Sequence, residues 1–370
     1  MKCKFILSAT TLLLFLAGCG NTEETSTSKE LKPTQETKLI VDELNRKVEI
    51  PAKINRVVMG SILPYFSTWY IATNSTDEIV GIHPNSYNAA SHSILKDISP
   101  SILKAKTNFI KNGEVNIEEL LSLNPQVYFE IANQQKTVKK LEEAGITTVA
   151  LDTKTTSLNP LDTLNRWLSL TGEITGTVDR QKEIIEEGEA NQKMISEVLS
   201  GVKEAKPRVM ILQYHSNGEI STAGVGMHGN RWLNATGGID VAAEKIKGIK
   251  AINMEQIYEW NPDIIYITNF TETQPEDLYN NVFDGQDWSQ VKAVQNKKVY
   301  KMPLGIYRWY PPSGDAPLML KWMAQKNYPE LFTYDMNKEI KDYYKRFYDY
   351  ELTDKQVQEI LNPPSEAAKY

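Results

Sequence analysis

Val115–Glu130 reads VNIEELLSLNPQVYFE and Ile252–Ile267, 137 residues further on, reads INMEQIYEWNPDIIYI. In register the two segments share Asn116/Asn253, Glu118/Glu255, Asn124/Asn261 and Pro125/Pro262, with apolar residues matching at most of the remaining places. The leading Asn is a helix N-cap, and Glu119 or Gln256 three residues on completes the pattern of a capping box. Asn-Pro ends that helix after about two turns, because proline has no amide donor and restricts the residue before it. The apolar runs that follow, Val127–Ile131 and Ile264–Ile267, predict buried strands. Each half of the chain therefore carries one helix, turn and core strand.

Around these copies the punctuation repeats. Arg56–Met59 predicts a short strand, Gln134–Ala144 a helix ended by Gly145, and Ile146–Leu151 a further strand; Arg208–Gln213 and Lys298–Lys301 are strands of the second half. Strands that alternate with helices imply parallel α/β sheets. Between the halves, Thr175–Gly201 sets Val178, Ile184, Ile185, Met194, Ile195 and Val198 among charges, the pattern of one long amphipathic helix. The expected organisation is an N-terminal α/β lobe over 38–174, a stiff connecting helix over 175–204, and a C-terminal α/β lobe with C-terminal helices over 205–370.

The start of the chain has a separate logic. MKCKFILSATTLLLFLAGCG has a basic beginning, an apolar run from Phe5 to Leu16, and Leu16-Ala17-Gly18-Cys19. That order fits a secretory signal (1–18) with cleavage before a cysteine that takes a lipid, and the run is shorter than the ~20 residues a bilayer span needs. Cys19 is thus the expected lipidation site, and polar 19–37 the expected flexible tether of an extracytoplasmic, membrane-anchored protein. The chain's other cysteine, Cys3, lies in the signal, which leaves no thiol for disulfides, iron–sulfur clusters or cysteine catalysis. Loss of Lys2 and Lys4 with the signal takes the formal charge from −6 to −8, which argues against nucleic acid as a partner and against adsorption to anionic lipid.

Taken together, VDELNRKVEIPAKINRVV, DEIVGI at Asp77–Ile82, the two helix-Asn-Pro-strand copies, WLNATGGIDVA at Trp232–Ala242 and WSQVKAVQNKKVYKMP at Trp288–Pro303 resemble one family. It is that of the ABC-transporter substrate-binding proteins for iron–siderophore, cobalamin, haem and related chelates. The resemblance spans about Leu39 to Leu361. It implies two Rossmann-like α/β lobes joined by a single long helix, a ligand cleft between them, and delivery of cargo to an ABC permease and its ATPase. It further implies that Glu118 and Glu255, the shared acidic residue of the copies, dock one lobe each on the permease. Each carboxylate would also offset the positive end of its helix dipole.

In open α/β lobes the ligand lies beyond the carboxyl ends of the strands. The loops there point to Tyr65, Trp69, His83 and Tyr87 in the first lobe, and to His228, Arg231, Trp232, Tyr307, Arg308, Trp309 and Tyr310 in the second. Arg308 suits an anionic chelate and the rings beside it its apolar parts, although a mixed outcome, with only one or two of the Tyr307–Tyr310 side chains facing the cleft, is favoured over all four lining it. Gly224–Gly229 matches G-x-G-x-x-G, but a flexible cleft loop carrying His228 and Arg231 is preferred to a dinucleotide site. The four histidines lack zinc spacing; His83 and His228 are the candidates for an axial contact to a metal, and no direct metal ligand is assigned. The many tyrosines of Ala316–Leu361 are expected to pack rather than bind.

No G-x-S-x-G, G-K-[ST] or H-E-x-x-H stands in the chain, so an enzyme is not expected and no cofactor is assigned. Aromatic loops with few clustered cations favour a sizeable organic chelate, foremost a ferric siderophore, with cobalamin, haem, molybdate or tungstate and nickel or cobalt chelates as alternatives. A secreted hydrolase and a surface adhesin are the rivals of another class.

Overall fold

A computed structural model describes residues 36–153 and 159–368; the signal, Cys19 and the tether up to residue 35 lie outside them. Residues from Glu36 onward cluster as one compact unit that holds two separate parallel-cored sheets. In the first, the order is Ile79–Ile82, Val57–Met59, Val127–Ile131, Thr148–Leu151, every pair parallel. Both faces of its two central strands are buried, which is why they read as apolar runs, interrupted only by Glu130, and not as alternation.

In the second sheet Arg208–Ser216 and Ile264–Ile267 lie side by side in parallel, with Val299–Lys301 beyond. Glu219–Ala223 and Ile249–Ile252 extend it antiparallel on the other side. The turn between Ser216 and Glu219 is Asn217-Gly218, both at positive φ, as a tight hairpin requires. The duplicated strands Val127–Ile131 and Ile264–Ile267 each hold a central place in their sheets.

The duplication is repeated in local geometry. Asn116 Oδ1 accepts from the Glu119 amide at 3.1 Å, and Asn253 Oδ1 from the Gln256 amide at 3.0 Å. Asn124 and Asn261 both adopt left-handed backbone, φ 46° and 40°, ahead of the proline. Only half of the expected capping box forms: the Glu119 carboxylate takes Asn108 and Lys111 instead, and the Gln256 amide turns to Glu259.

The connection between the lobes is the Val178–Ser200 helix, shorter than the 175–204 expected. Thr175 belongs to a preceding helix, Pro160–Thr175, which Gly176 stops in left-handed backbone at φ 80°. Gln181, Ile184, Gly188, Asn191 and Ile195 form the buried stripe. Val178 and Val198, near the two ends, are exposed. A Cβ on Gly188 would lie 2.7 Å from Leu161, so glycine allows this crossing. From the same helix Arg180 Nε donates to the Ile71 carbonyl at 2.7 Å, and its guanidinium also reaches the Phe347 carbonyl.

Helices Ala316–Asn327, Met336–Tyr348 and Asp354–Leu361 cover the second lobe and return to the first, where Tyr348 stacks on Tyr70 at 5.6 Å. Tyr343, Tyr344, Phe347 and Tyr348 are buried, in the packing role expected of them.

Candidate functional site

The first lobe offers the loops after three strands. Glu130, wholly buried at the end of the central strand, draws the Gly60–Pro64 loop in: its Oε1 accepts from the Ser61 amide at 3.1 Å and the Ile131 amide at 2.8 Å. Desolvation raises its pKa, and those N–H groups work against the rise. A Cβ on Gly60 would meet Tyr128 Oη at 2.3 Å, so the loop crosses there only as glycine. His83 caps the Pro84–Ser91 helix, its Nδ1 accepting from the Asn85 amide at 3.2 Å. Burial holds its pKa below the usual value, consistent with an acceptor ring nitrogen.

The loop after the Val57–Met59 strand ends at Pro64. Tyr65 and Trp69 stand on the Tyr65–Thr73 helix and are buried in the core: the Tyr65 hydroxyl pairs with Thr171 Oγ1 at 2.8 Å, and both rings pack on Phe129. An aromatic helix face beside a strand-end loop has the composition of a cleft lining, and sequence alone does not tell the two apart. Tyr87 is half-buried and donates to the Leu103 carbonyl at 3.2 Å.

In the second lobe the strand ends bring together Gln213, Asn269 and Phe270 with the loop from Met302 to Asp315. Asn269 Nδ2 donates to the Met302 carbonyl at 2.8 Å. Gln213 Oε1 and Asn269 Oδ1 are buried with no hydrogen-bond partner among the described residues, the condition of groups that await a solvent or ligand donor. Gln213 was read only as the end of a strand; a polar residue closing an apolar run was the signal available.

Arg308 has no exposed surface. Its guanidinium lies 5.0 Å from the Phe270 ring centre and 5.6 Å from that of Tyr307, and Nη2 donates to the Ala367 carbonyl at 3.1 Å. Tyr307 meets Phe66 of the first lobe edge-on at 5.2 Å. Tyr310 stands between Phe270, at 6.0 Å, and His228, at 5.9 Å. Its hydroxyl accepts from the Gly229 amide, and its carbonyl from Trp232 Nε1 at 2.7 Å. His228 and Arg231, one turn apart on the His228–Ala235 helix, are half-buried. Trp309 and Trp232 are buried and serve packing. The structure thus joins His228, Tyr310, Phe270, Arg308 and Tyr307 in one string that ends on the first lobe.

The shape of that loop comes from Asp315, which sequence reasoning missed. Oδ2 accepts from the Ile306 amide at 2.9 Å, Trp309 Nε1 at 3.1 Å and Tyr344 Oη at 3.2 Å, and Oδ1 from Tyr348 Oη at 2.8 Å. Complete burial outweighs these donors and pushes its carboxyl up to about 6. Across the lobes, the Gly314 amide donates to Ser67 Oγ and Ser93 Oγ to the Ile306 carbonyl. A cavity of about 320 Å³ between the lobes is lined by His92, Ser93 and Lys96 on one side and Leu304, Ile360 and Pro364 on the other.

The Gly224–Gly229 loop is pinned, not flexible. The Gly224 amide donates to the Gly248 carbonyl, a Cβ there would lie 2.2 Å from the Ile246 carbonyl oxygen, and one on Gly229 would lie 2.8 Å from Ile211. Gly224 and Gly229 serve close packing, while Gly226 takes left-handed backbone at φ 84°. His215 is buried against Phe283 and bonded to Thr273 Oγ1 at 3.0 Å. Among the described residues no three His, Cys, Asp or Glu side chains gather as a metal site, and no helix is long and apolar enough to cross a membrane.

Glu118 and Glu255 both stand in the first turn of their helices, exposed, with no ion-pair partner within 4.0 Å among the described residues.

A sequence profile of the periplasmic binding proteins matches residues 67–304. The molybdate-binding protein MolA of Haemophilus influenzae is 29% identical over 84% of this chain and 91% of its own length. Its crystal structure with molybdate superposes with a TM-score of 0.70, at 27% identity over 85% of this chain and 99% of that one. A periplasmic solute binding protein of Veillonella parvula superposes with a TM-score of 0.80, at 32% identity over 88% of this chain and 97% of that one. The iron(3+)-hydroxamate-binding protein FhuD of Bacillus subtilis is 26% identical over 83% of this chain and 92% of its own length.

Proposed function

Because the chain belongs to the periplasmic binding protein family and is an extracytoplasmic substrate-binding component of an ABC importer, not an enzyme, we propose that its cargo is a compact oxyanion of the molybdate class. The observation that carries this reading is Arg308, a fully buried guanidinium held between the Phe270 and Tyr307 rings where the two lobes meet. A cation in so dry a place interacts strongly with a small anion. His228 and Arg231 add positive or donor character on the next helix. The rings of Trp232, Trp309 and Tyr310 are committed to packing, which leaves little open aromatic face for a large organic chelate. The relative named for molybdate supports the same choice.

The test is calorimetric titration of the domain from residue 36 with molybdate, tungstate, sulfate, a ferric hydroxamate and nickel–histidine. Saturable molybdate or tungstate binding, weakened at least tenfold in Arg308→Gln, is expected. A second reading, the ferric siderophore, is supported by Tyr214, 38% exposed, with Phe270 at 5.8 Å on the rim of the second lobe, and by the hydroxamate-binding relative. Saturation by the ferric hydroxamate alone would establish that reading and remove the first.

Delivery to the permease and its ATPase is proposed to run through Glu118 and Glu255, and anchoring through lipid on Cys19. The exposure of both glutamates and their matched positions in the two lobes support the docking role.

A further inference from the structure

On the outer edge of the second sheet a cavity of about 470 Å³ opens beside the Val299–Lys301 strand. Tyr279, Tyr300 and Trp322 supply its aromatic walls, and Lys297, Lys301 and Lys326 its charge. None of the side chains at the lobe junction lines it. Tyr300 and Lys301 point to opposite faces of the edge strand, as alternation requires, so the cavity wraps the edge.

Among the described residues none of the three amines makes an ion pair, although Asp277 and Glu272 act on Lys301 from further off. Lys297 Nζ sits 4.0 Å from the centre of the Tyr279 ring and Lys326 Nζ 4.8 Å from that of Tyr300. Lys301, only 6% exposed, donates to the Thr271 carbonyl at 2.6 Å and the Thr273 carbonyl at 2.8 Å. Among the described residues none of these amines has a carboxylate within 4.0 Å. Lys292, Lys321, Lys338, Lys341 and Lys345 of the same lobe are all ion-paired. Glu276 is the acidic residue of the lining, so the cavity is a cationic concavity on a chain whose formal charge is −6. Burial disfavours the charged form of the Lys301 amine, and an anion placed in the cavity would favour it.

We propose that this cavity is a second ligand site, for a phosphate group. Lys297 and Lys326 in the lining, with Lys301 on the other face of the edge strand, suit a phosphate group with several acceptor oxygens, and lysine binds phosphate as a point charge. The volume exceeds what an isolated oxyanion needs, and the tyrosine and tryptophan walls take the organic part that carries the phosphate. The same group can arrive on a free phosphorylated molecule or as a phospholipid headgroup.

The test uses the domain from residue 36, titrated calorimetrically with inorganic phosphate and glycerol 3-phosphate, and cosedimented with vesicles of phosphatidylglycerol. The variant is Lys297→Gln/Lys326→Gln; both lysines keep solvent contact, so folding should survive, and an unchanged molybdate titration verifies that the cargo site is intact. Binding in solution, weakened at least tenfold by the variant, supports a free phosphorylated ligand. Cosedimentation lost in the variant supports the headgroup. The proposal is overturned if neither probe binds, or if the variant binds as tightly as the parent. A failure of molybdate binding in the parent bears on the cargo reading alone, because the two sites share no lining residue.

Discussion

Gly305 lies so close to Asp315 that a β-carbon on the glycine would come within 1.9 Å of Oδ2. The loop that carries Arg308 can close around this carboxylate only because residue 305 has no side chain. Gly305→Ala must displace either the Asp315 hydrogen bonds or the loop backbone, and should lower stability by about 2–5 kcal/mol. Urea unfolding measures this; a variant within about 0.5 kcal/mol of the parent would show that the loop relaxes freely.

Asp315 also sets a pH dependence. Its carboxyl titrates near 3.8 in the unfolded chain and is pushed up to about 6 in the fold. The native state therefore holds a proton that the unfolded state has released between those values, and this group's contribution falls as pH rises through the window, by about 3 kcal/mol. The parent's stability advantage over Asp315→Asn should accordingly be larger at pH 4 than at pH 7. An advantage that does not change with pH contradicts the assignment.

Lys301 works in the opposite direction. Desolvation, helped by nearby Arg308 and opposed by Asp277 and Glu272, pushes its amine down to about 7 from 10.5. The unfolded chain then binds more protons between those values, so this group lends increasing stability as pH rises from 7 toward 10.5. The parent should gain on Lys301→Met between pH 7 and pH 9.5 by on the order of a few kcal/mol. Parallel stability curves for the two proteins would mean that the amine keeps its proton in the fold.

Charge reversal of Glu118 and Glu255 together should abolish transport in cells and leave cargo affinity in solution within twofold. The two glutamates are exposed and unpaired among the described residues, so the fold does not depend on them beyond the tenths of a kcal/mol of a dipole contact. Uptake at the parental rate by the double variant is incompatible with docking through these residues.

The duplicated unit was legible because its chemistry is local: a capping Asn, an Asn-Pro stop, and an apolar run each depend on a few consecutive residues. The long connecting helix was legible from its period, and its ends were not, since Val178 and Val198 look apolar but lie off the buried stripe. Candidate site residues divided along the same line. Arg308 and His228 were named from their loops, and they lie on one string of side chains. Tyr65 and Trp69 looked the same in sequence and went into the core, and Asp315 gave no signal at all. Its partners Ile306, Trp309, Tyr344 and Tyr348 come together only through tertiary contact, which a linear pattern does not encode.

Phe66 on Tyr307, Ser67 under Gly314, Ser93 on Ile306 and the reach of Arg180 from Ile71 to Phe347 bind the two lobes at separate points. Swinging one lobe away from the other would break all of them together. The two jaws consequently form a caliper set to one gauge, and an instrument of fixed gauge sorts what enters by dimension. A frame held at one gauge would disfavour a complex too large for it. If Glu118 and Glu255 dock on the permease as proposed, it would meet them at a constant spacing.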